Sequence, residues 1–387
     1  MRVLLDASNL AATGPEVLIR NLVPCMGMQA ADDEFILLLP SLMLGSKWEL
    51  PDNIQIEYVQ RSKMREIGRM WDINYGLARL CHKLKVDIYF TLGDVGPVTL
   101  SVPHLIYLHQ PYLVYTEAEL LAALPLFERI KLRYQRWHFS RSAAKASGII
   151  VQTPVMKKRL IDCYSGLDDK VTVVPPSLPA HVESLRARER ESNASIQLSE
   201  NTLNLLFLAT YYAHKNHAIL PALLKELCDR NLREKVHFYL TLDGDRRREE
   251  TELLQTLASD YHDMVTNLGR LTPDDAGSAL IASDALFMPT LVETFGLIYL
   301  EALAVHKPII TSDRDFARYI CGNLALYSDP HDPVAIADAI QQLFLEQEGI
   351  DKMVQDNADE QIEVVSGSTE ENAESILRLL RKVQDHG

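Results

Sequence analysis

The chain alternates short apolar runs with helix-patterned stretches, and it does so twice. "RVLLDA", "EFILLLP", "IQIEYV", "DIYFTL", "HLIYLH" and "GIIVQT" mark the first half; "LNLLFLA", "VHFYLTL", "MVTNLG", "ALFMP" and "KPIITSD" mark the second. Several runs are apolar nearly throughout, where a half-exposed strand would alternate. A strand of that kind is covered on both faces, as in a parallel sheet. Parallel neighbours need crossovers, and helical stretches such as 14–29 and 117–146 supply them. The reading is α/β, with two doubly wound halves in tandem. The polar run "VESLRARERESNASIQLSENT" separates them. The expected boundaries are a first domain over 1–180, a linker over 181–202, a second domain over 203–365 and a terminal helix over 366–387.

Composition narrows the function classes. Apolar residues make up 47% of the 387, enough for two cores. No apolar run reaches the roughly 18 residues of a membrane span, and the start meets Asp6 before any signal-like apolar stretch. The cysteines at 25, 81, 163, 228 and 321 form no C-x-x-C pair, which argues for free thiols and against zinc. The net charge of −14 is uneven: residues 1–180 hold 20 basic and 18 acidic residues (+2), leaving 19 and 35 (−16) for the rest. A nucleic-acid partner is not expected. A cytoplasmic protein is, with an anionic membrane surface open to its more basic half.

One stretch asks for chemistry. "PTLVETFGLIYLEAL" sets Glu293 before a Phe-Gly turn and Glu301 further along the helix that follows. The loop lies at the carboxyl end of a parallel strand, where open α/β sheets bind ligands. Gly296 lets backbone approach a ligand closely. The first helix amides lack intrahelical partners and suit a phosphate. Glu301 can accept two hydroxyls, such as a ribose diol. By spacing alone, a solvated helix acid and a loop acid fit as well.

The surrounding residues resemble the retaining glycosyltransferases of family 4. "PTLVETFGLIYLEALAVHKPIITSD" is similar to that family's P-S-x-x-E-x-F-G-x-x-x-x-E-A block and the strand after it. "HKNH" at 214–217, "VTNLGRLTPDDAGSALIASDALFMP" and "ASGIIVQTPVMKKRL…KVTVVPPSLP" match further segments. The resemblance implies the GT-B fold, two Rossmann-like domains facing a central cleft. It implies transfer of a sugar from a UDP- or GDP-sugar to a saccharide or lipid-linked saccharide, with retention, in surface polysaccharide assembly. No cofactor is implied beyond the donor substrate. Glu293 would lie at the donor sugar and Glu301 at the ribose. The backbone of Thr294, Phe295, Gly296 and Leu297 would meet the pyrophosphate, and Lys215 would neutralise it. Arg270 and Leu271, after Gly269, would approach the base. His109, past the "HLIYLH" strand, would face the sugar or acceptor, with a structural histidine as the plain alternative. The departures are an uncharged "ATYY" where the family often carries a second phosphate cation, and a glycine loop reduced to Gly14. A sugar-nucleotide epimerase and a non-catalytic scaffold are the alternative functions.

Two D-x-D sequences, Asp243-Gly244-Asp245 and Asp313-Arg314-Asp315, read as turn acids, so no metal is called for. "RIKLRYQRWHFSRSAAK", with Arg61, Lys63, Arg65 and Arg69, reads as a candidate face for anionic lipid or as a solvated helix face.

Overall fold

A computed structural model gives the fold and describes every residue except 9–12, 44–47, 60–75, 123, 179–180, 183–184, 188–197, 200, 246 and 386–387. Arg61, Lys63, Arg65, Arg69 and much of the 181–202 stretch lie outside the described residues. The chain divides into two compact units, Met1–Leu121 with Pro125–Pro179 and Ser366–Gly387, and Ala122–Leu124 with Ala180–Val365.

The first unit holds a parallel sheet of seven strands in the order β3-β2-β1-β4-β5-β6-β7. They are β1 Arg2–Asp6, β2 Glu34–Pro40, β3 Ile54–Val59, β4 Ile88–Thr91, β5 His104–Tyr107, β6 Gly148–Val151 and β7 Val171–Val173. Val3, Leu4 and Leu5 of the central β1 are wholly buried, which explains the run of apolar residues without alternation. Around the sheet run α1 (Thr13–Gln29), α2 (Leu77–Leu84), α3 (Ala118–Ala122), α4 (Leu126–Lys145) and α5 (Pro154–Cys163). The last helix of the chain, Thr369–Asp385, returns to this unit. Its buried Ala373, Ile376, Leu377, Leu380 and Val383 recur at helical spacing and join the core that includes Val3, Leu5 and Val23. Each large aliphatic side chain buried there contributes on the order of 1.5–3 kcal/mol.

The second unit holds a six-stranded parallel sheet, order β10-β9-β8-β11-β12-β13. The strands are β8 Leu203–Phe207, β9 Val236–Leu240, β10 Val265–Asn267, β11 Ala285–Met288, β12 Ile309–Ser312 and β13 Ala325–Ser328. In chain order this is 3-2-1-4-5-6, the Rossmann arrangement, and the order reverses between β8 and β11. Helices α6 (Leu220–Asp229), α7 (Arg248–Asp260), α8 (Pro273–Ala282), α9 (Leu297–Ala304), α10 (Asp315–Cys321) and α11 (Pro333–Val365) follow in turn, and α12 is the terminal helix already described. Among the described residues no helix is long and apolar enough to cross a membrane.

Candidate functional site

The reversal point fixes which loops meet. The loop after β8 carries "HKNH", and the loop after β11 carries Glu293. Backbone bonds staple them: Leu291 N–H donates to the His214 carbonyl at 2.7 Å, and the Thr290 hydroxyl donates to it at 2.8 Å. Asn216 takes a left-handed turn, φ 63°, and its side-chain amide donates to the Pro330 carbonyl at 2.7 Å. Lys215 Nζ, held between these anchors, donates to Glu293 Oε1. Both side chains are mostly buried, so their opposite charges compensate each other in a medium poorer than water.

After Glu293 the chain turns through Thr294 and Phe295. Phe295 is 1% exposed, so its ring anchors the loop from below while its backbone remains at the turn. Gly296 has φ +81°, and a Cβ there would stand 2.8 Å from the Tyr299 ring. Conformation and space both require glycine. Tyr299 is fixed in turn, its hydroxyl 2.8 Å from Thr311 Oγ1. Leu297 then opens α9. A carboxylate, an ammonium, a glycine turn and a helix start thus share the carboxyl edge of the sheet, an arrangement suited to an anionic ligand.

Glu301 lies further along α9 with a neighbour that spacing could not show. His181 Nε2 stands 3.6 Å from Glu301 Oε1. The interaction with Glu301 raises the His181 pKa above its ordinary value, and Asp274 at the start of α8 adds to it. The signal in the sequence was only a lone histidine after "PPSLPA". The imidazolium contributes stability that is fully present below its unfolded value of 6.5 and is lost as pH rises through the raised folded value. If a ribose diol takes the Glu301 carboxylate, it competes with the charged ring, so nucleotide affinity is expected to rise as pH climbs through neutrality. Calorimetry across pH on wild type and His181→Gln checks this, the variant losing the pH slope. Glu301→Ala is expected to weaken nucleotide binding by about 1–3 kcal/mol. An identical slope in both proteins would remove His181 from the account.

The other residues singled out by sequence lie as follows. Gly269 (φ +72°), Arg270 and Leu271 form the turn after β10, at the far edge of the sheet. Asn267 Oδ1 ties that turn to the end of β9, accepting from Leu242 N–H at 3.0 Å and Gly269 N–H at 3.3 Å. His109 belongs to the first unit, two residues past β5. Its backbone N–H donates to Asp94 Oδ1 at 2.5 Å, its ring sits 4.2 Å from that of Tyr107, and its Nε2 is buried without a hydrogen-bond partner. Burial lowers its pKa to about 4, so the ring is neutral at pH 7. His104, 3% exposed, is likewise lowered to about 4 by burial. Gly14 is the second residue of α1, beside the undescribed 9–12.

The D-x-D pairs have local partners. Gly244 N–H donates to Glu250 Oε1 at 3.1 Å, closing the Asp243–Asp245 turn. Asp313 pairs with Arg318 at 2.7 Å, and Asp315 caps the Phe316 amide at 2.9 Å. Among the described residues no group of three or more His, Cys, Asp or Glu is placed to hold a metal ion. A second overlooked residue is Arg247, just before α7. Its guanidinium lies 5.8 Å from the Tyr212 ring centroid. Burial, then the charges of Lys215, His217 and Arg247, push His214 down to about 3.

Two parallel-sheet Rossmann-like units define the GT-B fold. Sucrose-phosphate synthase from Thermosynechococcus elongatus superposes with a TM-score of 0.74 at 17% identity, covering 100% of both chains. Anabaena Alr3699/HepE in complex with UDP and glucose gives 0.67 at 12% identity, over 99% of this chain and 100% of that one. Residues 188–361, all within the second unit, match the family Glycosyl transferases group 1. A D-inositol 3-phosphate glycosyltransferase of Pseudarthrobacter chlorophenolicus is 27% identical over 205 residues. That match spans 51% of this chain and 48% of the relative, so the chain spans about half the length of the curated relative it matches.

Proposed function

We propose that the chain is a retaining glycosyltransferase of the family 4 type. It moves a sugar from a nucleoside-diphosphate sugar to a saccharide or lipid-linked saccharide acceptor in surface polysaccharide assembly, at an anionic membrane surface. The observation that carries the reading is the meeting of Lys215, Glu293 and the Gly296 turn at the strand-order reversal of a glycosyl transferases group 1 domain. In it, the donor diphosphate meets the α9 amides and Lys215, the ribose meets Glu301, and the base lies toward Arg270 and Leu271. Glu293 faces the sugar, and His109 and Gly14, both in the first unit, serve the acceptor. Glu293 is already bound to a lysine, which suits it to hydrogen-bonding and charge stabilisation more than to attack. Retention then has the departing phosphate oxygen take the acceptor proton as the new glycosidic bond forms on the same face.

The UDP bound by the Anabaena neighbour makes uridine donors the first to screen. The inositol phosphate named for the relatives adds a phosphorylated cyclitol to the acceptors. Thermal shift and calorimetry with UDP, GDP, ADP and their sugars are expected to single out one base. Product NMR is expected to show the donor's anomeric configuration kept, and activity is expected to survive EDTA. An inverted product, or activity lost to EDTA and restored by Mn²⁺, would overturn the corresponding part. Donor isomerisation without transfer would mark an epimerase.

A further inference from the structure

Helix α4 is apolar on two faces, and the fold uses one. Leu132, Phe139 and Ala143 are buried. Arg136 ties the helix to the preceding loop, donating to the Tyr112 carbonyl at 2.7 Å and the Tyr115 carbonyl at 2.6 Å. On the opposite face Leu126 is 72% exposed, Phe127 71%, Ile130 60%, Tyr134 39% and Trp137 55%. At 3.6 residues per turn these five fall on one stripe, about 17 Å long at about 1.5 Å per residue. Single exposed apolar residues are ordinary, but a contiguous stripe marks an interaction surface.

We propose that this face docks on an anionic lipid bilayer. The helix carries Arg129, Lys131, Arg133, Arg136, Arg141 and Lys145 against Glu128 alone, in a chain of net charge −14. Arg129 and Arg133 flank one side of the stripe, Lys131 the other, and Arg141 and Lys145 extend it past Trp137. The Arg141 guanidinium lies 5.1 Å from the Trp137 ring centroid, and Tyr134 stacks with Trp137 at 5.8 Å. Apolar and aromatic side chains in the middle with basic ones around them are the pattern of a helix lying in a membrane interface. The rings sit at headgroup depth while the basic stems reach outward to lipid phosphates. A stripe one helix wide offers less area than the roughly 1,000 Å² that a specific protein interface needs.

Arg136 is kept in every test variant, because its side chain holds the Tyr112 and Tyr115 carbonyls. The surface serves the transferase reading by bringing the protein to a lipid-linked acceptor. It is scored without sugar donor, so either can fail alone.

The test is flotation of the full chain with vesicles of phosphatidylcholine alone or mixed with phosphatidylglycerol, at low and high salt. The expected result is flotation with the mixed vesicles at low salt, weakening with salt. Arg133→Glu with Arg141→Glu is expected to lower the bound fraction by about tenfold or more. Phe127→Ser with Trp137→Ser is expected to do the same, with circular dichroism unchanged since these side chains are exposed. As a second measurement, wild-type tryptophan emission is expected to shift to the blue with mixed vesicles, and the shift to vanish in Trp137→Phe. Absence of flotation at low salt, or variants that float like wild type, would overturn the proposal. So would a dimer by light scattering that the apolar variant dissolves in a protein that ignores vesicles, which would assign the face to a second copy.

Discussion

Glu293→Gln is expected to lower turnover by about two orders of magnitude or more, the scale lost when one preorganised group that stabilises developing charge is removed. Nucleotide affinity is expected to stay within about threefold of wild type, because a group that acts on the transition state changes kcat more than ground-state binding. The geometry gives the reason for this split. Glu293 lies ahead of the Gly296 turn, while the helix amides and Lys215 are the diphosphate partners in the proposed site. The amide side chain keeps the shape and can still accept from Lys215, so folding is preserved. What it would lose, in the proposed site, is the negative charge beside a sugar that becomes cationic as the leaving group departs. Steady-state kinetics paired with calorimetry on the same preparation check both halves. Wild-type turnover in a folded Gln variant would make Glu293 a loop residue and leave the site a nucleotide-binding device.

Much of the second unit was legible because its signals are local. "ALFMP", the Phe-Gly turn and "LIYLEALA" lie within one stretch, and their order along a strand, a loop and a helix dictates that Glu293 stands at the sheet's carboxyl edge. The all-apolar strands reported a sheet covered on both faces for the same reason. What the sequence hid was what only tertiary folding brings together. The Lys215–Glu293 pair joins loops after strands that are neighbours only because the order reverses between β8 and β11. His181 reaches Glu301 across a long sequence separation, and no pattern marks it. The terminal helix packs with the first unit, which its amphipathic stripe alone did not reveal. Helix α4 hid its nature differently: with apolar residues on opposite faces, it shows no single hydrophobic side to a periodicity reading.

Lys215→Ala is expected to impair donor binding and turnover together. In the proposed site its ammonium would face a diphosphate that is anionic before the reaction and more so during departure, so the loss would fall on both states. A charge-assisted hydrogen bond of about 1.5–3 kcal/mol corresponds to roughly 10- to 100-fold in affinity. The change also leaves Glu293, 13% exposed as a side chain, without its counter-charge, so stability is expected to fall by about 1–3 kcal/mol. These two losses separate in the double variant Lys215→Ala with Glu293→Gln, which removes the stranded charge. It is expected to regain stability and to stay inactive. Lys215 cannot serve the diphosphate alone while Glu293 neutralises it, and the stretch from Ala209 to Tyr212 offers no cation. Arg247 stands beside the same loop, over Tyr212, and is the residue we expect to supply the second charge. Arg247→Ala is expected to weaken diphosphate donors about tenfold, to affect nucleoside monophosphates little, and to be rescued largely by Arg247→Lys. Equal losses for mono- and diphosphates would place Arg247 at the nucleoside end instead, and recovery of turnover in the Lys215/Glu293 double variant would show that the pair only holds the loops together.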